Sequence, residues 1–277
     1  MDRKKVTIPE LQNIKAKGEK ITMLTAYDYP MAKIMDEAGI DMILVGDSLG
    51  MVVLGYESTL PVTMDEMIHH TKAAKRGTKS AFLVGDMPFM SYQASIEDAV
   101  CNAGRFMKEG GCDAVKLEGG AEVIKQAKAI FDAGIPVVGH LGLTPQSATK
   151  LGGFKVQGKD AEAAKRIIDD ALKLQEAGCF SIILECIPDK LAKMITEKVT
   201  VPTIGIGAGP DCDGQVLVTH DMVGLFDRFV PKFAKQYVKL SDQMGGAFRE
   251  YIAEVKKGEF PTQKHSFVMK QEELEKV

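Results

Sequence analysis

"LVGDSLG" at residues 44–50 and "LVGDMPF" at 83–89 are nearly the same phrase, an apolar run that stops at Gly-Asp. Similar runs recur near 21–26 (ITMLTA), 42–46 (MILVG), 81–85 (AFLVG), 113–117 (DAVKL), 136–139 (PVVG), 181–185 (SIILE) and 202–206 (PTIGI). An eighth, near 215–219 (QVLVT), reads either as a strand or as part of a helix. Most of these runs are continuously apolar rather than alternating, which marks strands buried on both faces, as in a parallel sheet.

The segments between them have helical patterns. "MAKIMDEAG" (31–39) places apolar residues at helical spacing and stops at Gly39. "TMDEMIHHTKAAKRG" (63–77) opens with Thr63 three residues before Glu66, a capping box, and ends at Gly77. "SIEDAVCNAGRFMKEGG" (95–111) repeats the device with Ser95 and Asp98, and "DAEAAKRIIDDALKLQEAG" (160–178) is amphipathic up to its terminal glycine. Helix, glycine stop and short apolar strand recur about eight times, which predicts a (β/α)8 barrel. The alternative is a doubly wound sheet. It would expect a GxGxxG turn after the first strand, and "TAYDYP" (25–30) does not supply one.

Composition agrees with an ordinary globular chain: 277 residues, 45% hydrophobic and 26% charged. A net charge of -3 argues against a nucleic-acid partner. No apolar run reaches the ~18 residues that a membrane span needs. The N-terminus, "MDRKKVTIPELQNIKAKG", lacks the apolar core of a secretory signal. The five scattered cysteines include no CxxC pair and read as reduced thiols, which places the chain in the cytoplasm. The expected organisation is a single barrel domain over 1–277 with an N-terminal helix. From about 232 a C-terminal helical extension, "FAKQYVKLSDQMGGAFREYIAEVKKG", leads into a polar tail and serves packing or assembly outside the barrel.

In such a barrel the active site lies at the C-terminal ends of the strands. Those ends carry Asp47 and Ser48, Asp86, Lys116 and Glu118, His140, and Glu185. Asp after a strand also serves as a helix N-cap. Three acids after adjacent strands, with a lysine two residues before the third, point instead to a site. Buried together, Asp47, Asp86 and Glu118 would repel one another, and a divalent cation resolves the conflict. Oxygen ligands favour Mg²⁺, while His140 nearby leaves Zn²⁺, Co²⁺ or Mn²⁺ open. Lys116, two residues from Glu118, shares its face toward the barrel interior. It reads as an ion-pair partner or as the contact for a substrate carboxylate. Glu185 ends an apolar strand, where desolvation raises a carboxyl pKa toward the range useful for proton transfer, so it is the candidate general base. "GIGAG" (205–209) reads as a phosphate cradle or as simple tight turns. This set suits metal-assisted removal of a proton beside the keto group of a 2-oxo acid, then carbon–carbon bond making or breaking.

The motifs "TAYDYPMAKIMDEAG", "ILVGDSLGMVVLGYESTLPVT", "GDMPFMSY", "VKLEGG", "GHLGLTPQS", "GGFKVQG", "LECIP" and "IGIGAG" closely resemble the ketopantoate hydroxymethyltransferase family, over about residues 20–267. The resemblance implies a (β/α)8 TIM barrel of the phosphoenolpyruvate/pyruvate type and a homodecamer of two stacked pentameric rings. It implies transfer of a hydroxymethyl group from methylenetetrahydrofolate, as co-substrate, to 3-methyl-2-oxobutanoate. The product is 2-dehydropantoate, for pantothenate and coenzyme A biosynthesis, reached through a Mg²⁺-stabilised enolate. Carried over by motif, Asp47, Asp86 and Glu118 hold the metal. Asp47, Ser48, Asp86 and Lys116 contact the oxo acid, with His140 lining the pocket, and Glu185 accepts the proton. Gly85 stands where the family suggests alanine or a similar small residue. The alternatives are another metal–enolate barrel of the isocitrate-lyase, phosphonopyruvate or pyruvate-aldolase kind, or an oxo-acid binder without catalysis.

Overall fold

The computed structural model describes residues 3–277, with the backbone alone at Leu151. Eight parallel strands close into a barrel in sequence order: β1 (Ile21–Thr25), β2 (Met42–Val45), β3 (Phe82–Asp86), β4 (Ala114–Glu118), β5 (Val137–Gly142), β6 (Ser181–Glu185), β7 (Thr203–Ile206) and β8 (Gly214–Leu217). β1 pairs with both β2 and β8, so the eighth apolar run is a strand and the doubly wound alternative, with its two open edges, is excluded. Helices Tyr29–Ala38, Met64–Gly77, Ile96–Arg105, Ile124–Asp132, Ala161–Glu176 and Asp189–Lys198 follow β1 to β6. The glycine stop and the capping box act as the sequence suggests. Gly39 closes the first of these helices in the left-handed region at φ 88°, and Thr63 with Glu66 caps the second.

Side-chain parity along each strand decides what faces inward. Met42 and Leu44, Phe82 and Val84, Ala114, Val138 and Ile183 belong to the core that fills the barrel. Their neighbours Ile43, Leu83, Val115, Val137 and Ile182 belong to the larger core between barrel and helices. Extending the inward rows by two residues reaches Asp86 on β3, Lys116 on β4, His140 on β5 and Glu185 on β6, and a further two on β4 reaches Glu118. The interior thus changes from apolar to ionic at its C-terminal end, without any change in strand geometry.

Gly85, on the outward face of β3, is needed for close packing. A Cβ there would stand 2.3 Å from the Phe106 ring, so the alanine suggested by resemblance does not fit this chain. The glycines of 205–209 have a similar cause. A Cβ on Gly207 would meet Phe233 at 2.7 Å, and one on Gly209 would meet Asp189 at 2.5 Å. The turn is occupied by an aromatic ring and an acidic residue, which disfavours the phosphate cradle.

The opposite end of the barrel is plugged. Val6 and Leu11, the latter in helix Ile8–Ala16, join the interior core. Three aspartates standing just before β2, β4 and β8 each accept a backbone N–H from the neighbouring strand and pair with a cation of the N-terminal segment. Asp41 takes Thr22 N–H at 2.9 Å and Arg3 at 2.6 Å. Asp113 takes Leu83 N–H at 2.7 Å and Lys5 at 2.5 Å. Asp213 takes Thr203 N–H at 2.8 Å and Lys15 at 2.9 Å. Lys15 Nζ also lies 2.9–3.4 Å from the carbonyls of Thr196, Val199 and Val201. Lys15→Met leaves these acceptors without a charged donor and is expected to cost about 2 kcal/mol. Thermal denaturation reads this as a lower Tm, and an unchanged Tm would show that the plug is held by Val6 and Leu11 alone.

The chain divides into two compact units, one running to Thr219 and including Pro231–Lys235, the other made of His220–Val230 and Gln236–Val277. In the second unit the expected helix from about 232 begins only at Leu240 and runs to Lys257. The stretch before it hydrogen-bonds to another segment of the unit, with Tyr237 N donating to Met222 O and Leu240 N to Val223 O, and this competes with an intrahelical ladder. No residue of Leu240–Lys257 is buried, and Met244, Phe248, Tyr251, Ile252 and Val255 are exposed.

Candidate functional site

The ionisable side chains at the ends of β3 to β6 form an arc of alternating charge. Asp86 Oδ1 stands 2.7 Å from Lys116 Nζ, and Lys116 Nζ stands 3.5 Å from Glu118 Oε1. Glu118 Oε1 is 3.4 Å from His140 Nδ1, and His140 Nε2 is 3.2 Å from Glu185 Oε2. Asp86, Lys116, Glu118 and His140 are buried, whereas the Glu185 side chain keeps 15% of its surface exposed. The strand end at Glu185 is therefore wetter than its apolar run suggests. Asp47 joins from the turn after β2, its backbone N–H donating to Asp86 Oδ2 at 3.1 Å. Ser48 lies beside it, with its hydroxyl 2.9 Å from the Tyr27 hydroxyl. All seven residues expected at the site thus sit at one mouth. Lys116 finds its anionic partners in the protein's own Asp86 and Glu118.

Burial and crowding set the electrostatics. Burial pushes the Asp47 carboxyl well above the usual carboxylate range, and the nearby charges of Asp86 and Glu118 push it further. Asp86 is also raised, chiefly by burial, with Lys116 opposing. Burial works against ionised Glu118 too, yet Lys116 and His140 hold it below its ordinary value. Burial likewise works against charged Lys116, but Asp86, Glu118 and Asp47 raise its pKa and keep it protonated. His140 is disfavoured as a cation by burial and by Lys116. The carboxylates of Glu118 and Glu185 on either side outweigh both and lift it to about 9.

Burial is the chief cause of the raised values at Asp47 and Asp86, and the mouth gathers four carboxylates against the two cationic side chains of Lys116 and His140. Among the described residues no three His, Cys, Asp or Glu side chains converge closely enough to cage an ion on their own. The Lys116 ammonium stands between Asp86 and Glu118. The donor set nevertheless fits a hard cation that completes its sphere with water or substrate. Asp86 Oδ1 is buried without a hydrogen bond, the ammonium beside it lying out of alignment. An acceptor left this way is costly unless something else satisfies it.

Two neutral residues that sequence reasoning missed hold the carboxylates in place. Gln146, in the turn Pro145–Ser147 after β5, is buried. Its Nε2 donates to Asp47 Oδ2 and to the Met87 carbonyl, both at 2.9 Å, and its backbone N–H donates to Glu118 Oε2 at 3.1 Å. The Tyr92 hydroxyl, fully buried, lies 2.8 Å from Gln146 Oε1 and accepts Glu118 N–H at 3.1 Å. The only signals for them were the last letters of "GDMPFMSY" and the Gln of "TPQS". After Glu185 the backbone turns sharply, with Cys186 in the left-handed region at φ 47°. Gly142 at φ 98° lets β5 approach so closely that a Cβ would stand 2.1 Å from the Glu185 carbonyl oxygen.

Residues 5–263 match the family model described as ketopantoate hydroxymethyltransferase. A 3-methyl-2-oxobutanoate hydroxymethyltransferase of Moorella thermoacetica is 63% identical over 265 residues, covering 96% of this chain and 98% of its own. One from Clostridium botulinum strain Alaska E43 is 61% identical over 273 residues, covering 99% of both chains. Among solved structures, phosphonopyruvate hydrolase in complex with oxalate and Mg²⁺ superposes with a TM-score of 0.60 at 13% identity, covering 94% of this chain and 93% of that one. 2,3-Dimethylmalate lyase, a PEP mutase/isocitrate lyase superfamily member, superposes with a TM-score of 0.59 at 13% identity, covering 97% and 93%. These structures share the barrel architecture.

Proposed function

We infer the chemistry of the barrel mouth from one premise: the chain belongs to the ketopantoate hydroxymethyltransferase family. It is an enzyme that transfers a hydroxymethyl group from methylenetetrahydrofolate to 3-methyl-2-oxobutanoate, giving 2-dehydropantoate in pantothenate biosynthesis. The finer assignments are our reading. Asp47, Asp86 and Glu118 would hold a divalent cation, Mg²⁺ being the best match to oxygen-only donors. A cation held there would supply Lewis-acid polarisation of the oxo acid and would offset the charge that develops as the substrate enolises.

Glu185 takes the proton from C3. It is the terminal carboxylate of the arc and the one that retains solvent access, so a substrate carbon can reach it. His140, on its other side, fixes that carboxylate and links it to Glu118. Asp47, Ser48, Asp86 and Lys116 contact the oxo acid, with Lys116 supplying the buried positive charge nearest the acidic cluster. The alternating arc that ends at Glu185 is the observation that carries this reading.

The test needs no folate. In D2O the enzyme should exchange the C3 hydrogen of 3-methyl-2-oxobutanoate when Mg²⁺ is present, lose that exchange on chelation and regain it on adding Mg²⁺ back, followed by proton NMR. Exchange that survives chelation would remove the cation from the mechanism. No exchange with Mg²⁺ present would remove proton abstraction.

The assembly is a homodecamer of two pentameric rings. The exposed apolar residues of helix Leu240–Lys257 support association, and the ring size rests on the family likeness. Sedimentation of the purified chain measures it. The enzyme works in the cytoplasm: its five cysteines are free thiols, and no helix among the described residues is long and apolar enough to cross a membrane. Cell fractionation checks the compartment.

A further inference from the structure

Each of the three carboxylates at the mouth has one oxygen held by an amide N–H, while the second oxygens of Asp86 and Glu118 face only the cations Lys116 and His140. Asp47 Oδ2 is held by Gln146 Nε2, and its Oδ1 takes no hydrogen bond from the described residues. Asp86 Oδ2 is held by Asp47 N–H, and its Oδ1 is a buried acceptor without a hydrogen bond. Glu118 Oε2 is held by Gln146 N–H, and its Oε1 faces Lys116 and His140. Two of the three ties come from one residue.

Gln146 is suited to that task. Its amide is saturated. Nε2 donates to Asp47 and to the Met87 carbonyl, while Oε1 accepts from the Tyr92 hydroxyl and from Gln93 Nε2 at 3.2 Å. A saturated, fully buried amide has no low-energy alternative rotamer, because any rotation strands several polar groups away from water. Being neutral, it binds two carboxylates without adding a charge to the cluster.

We propose that Gln146, locked by Tyr92, is a positioning residue that ties off one oxygen of Asp47 and one of Glu118, so that the mouth selects a small, octahedral cation over a larger one. This rests on the cation reading above. The selectivity follows from ion chemistry. Mg²⁺ demands compact octahedral geometry and keeps several waters, whereas Ca²⁺ takes six to eight oxygens and accepts bidentate carboxylates. Tying off the second oxygen of Asp47 and of Glu118 penalises the ion that would use both. It also leaves positions around the smaller ion for the oxo acid.

The experiment is calorimetric titration of the full-length enzyme, free of substrate, with Mg²⁺ and with Ca²⁺. Gln146→Met keeps the side-chain length and the backbone N–H but removes the amide. It is expected to weaken Mg²⁺ by about 10- to 100-fold, the usual scale for losing a partner behind a ligand. Ca²⁺ should weaken far less or tighten, so the Mg²⁺/Ca²⁺ affinity ratio falls by roughly tenfold. Tyr92→Phe removes the hydroxyl that locks Gln146 and accepts the Glu118 N–H, and should move the ratio the same way by a smaller factor. It carries the test if Gln146→Met does not fold. A purely structural role would lower Tm and the active fraction in either variant while leaving the ratio of the folded protein unchanged, and that result overturns the proposal. Equal loss for both ions overturns it too. Wild-type enzyme that binds neither ion sinks the cation reading itself, and with it this one, whereas wild-type binding with an unmoved ratio sinks only Gln146.

Discussion

Glu185→Gln is expected to bind 3-methyl-2-oxobutanoate as the wild type does and to exchange its C3 hydrogen at least about a hundredfold more slowly. The substitution preserves shape and the contact with His140, but an amide cannot accept the proton. Fold stability should change less than for a sealed ion pair, because the Glu185 side chain is not closed off from water and the amide oxygen can still face buried His140, whose pKa should fall with the lost charge. Binding is measured by calorimetry and exchange by proton NMR, on the same preparation. Equal exchange rates would move the base elsewhere on the arc, with His140 the next candidate. Loss of both binding and exchange would make Glu185 a substrate contact rather than the proton acceptor.

Lys116→Met is expected to produce the largest change in stability. Removing one partner of a buried ion pair typically costs about 3–5 kcal/mol, because the charge left behind remains in a poor solvent. Here the remaining groups are Asp47, Asp86 and Glu118, and Lys116 offsets all three. The pH dependence has a definite sign. Asp47 and Asp86 have folded-state pKa values above those of the unfolded chain, and losing Lys116 raises them further. Such groups leave stability intact below the unfolded carboxylate pKa and remove it as pH rises through the raised folded value. The variant should therefore be weakest at neutral and alkaline pH, recover in mild acid, and regain much of its stability when Mg²⁺ supplies the missing positive charge. Urea denaturation at about pH 5 and about pH 8, with and without Mg²⁺, measures this. A deficit that ignores both pH and Mg²⁺ would show that Lys116 acts by packing alone.

The barrel was legible in the sequence because parallel strands buried on both faces must be apolar at every position, and that pattern survives without knowledge of partners. The predicted and observed strands agree to within a few residues, from Ile21–Thr25 to Gly214–Leu217. Charged site residues were legible for a related reason. An acid or lysine directly continuing an apolar run, as at Asp86 and Lys116, breaks the pattern visibly. Gln146 and Tyr92 break no pattern. They are uncharged, lie in turns, and gain their importance from bonds to residues as far as 99 positions away. The aspartates 41, 113 and 213 were invisible for the opposite reason, since Asp before a strand reads as an ordinary turn former. The start of the helix at Leu240 was misplaced because 233–239 has helical composition, but the N–H groups of Tyr237 and Leu240 bond to Met222 and Val223 of another segment.

The latch beneath the barrel has a consequence for synthesis. Helix Ile8–Ala16 leaves the ribosome before any strand of the barrel, but the acceptors for Lys15 lie 181 to 198 residues downstream. The strand that closes β1 on its free side, β8, is equally late. That helix therefore has no complete seat until β8 has been translated, and its docking coincides with ring closure. During elongation the apolar surface of Leu11 and the open edge of β1 stay exposed together, the condition in which a nascent polypeptide recruits chaperones. Protease resistance at the N-terminus should consequently be acquired late and in one step, as the final strand is released.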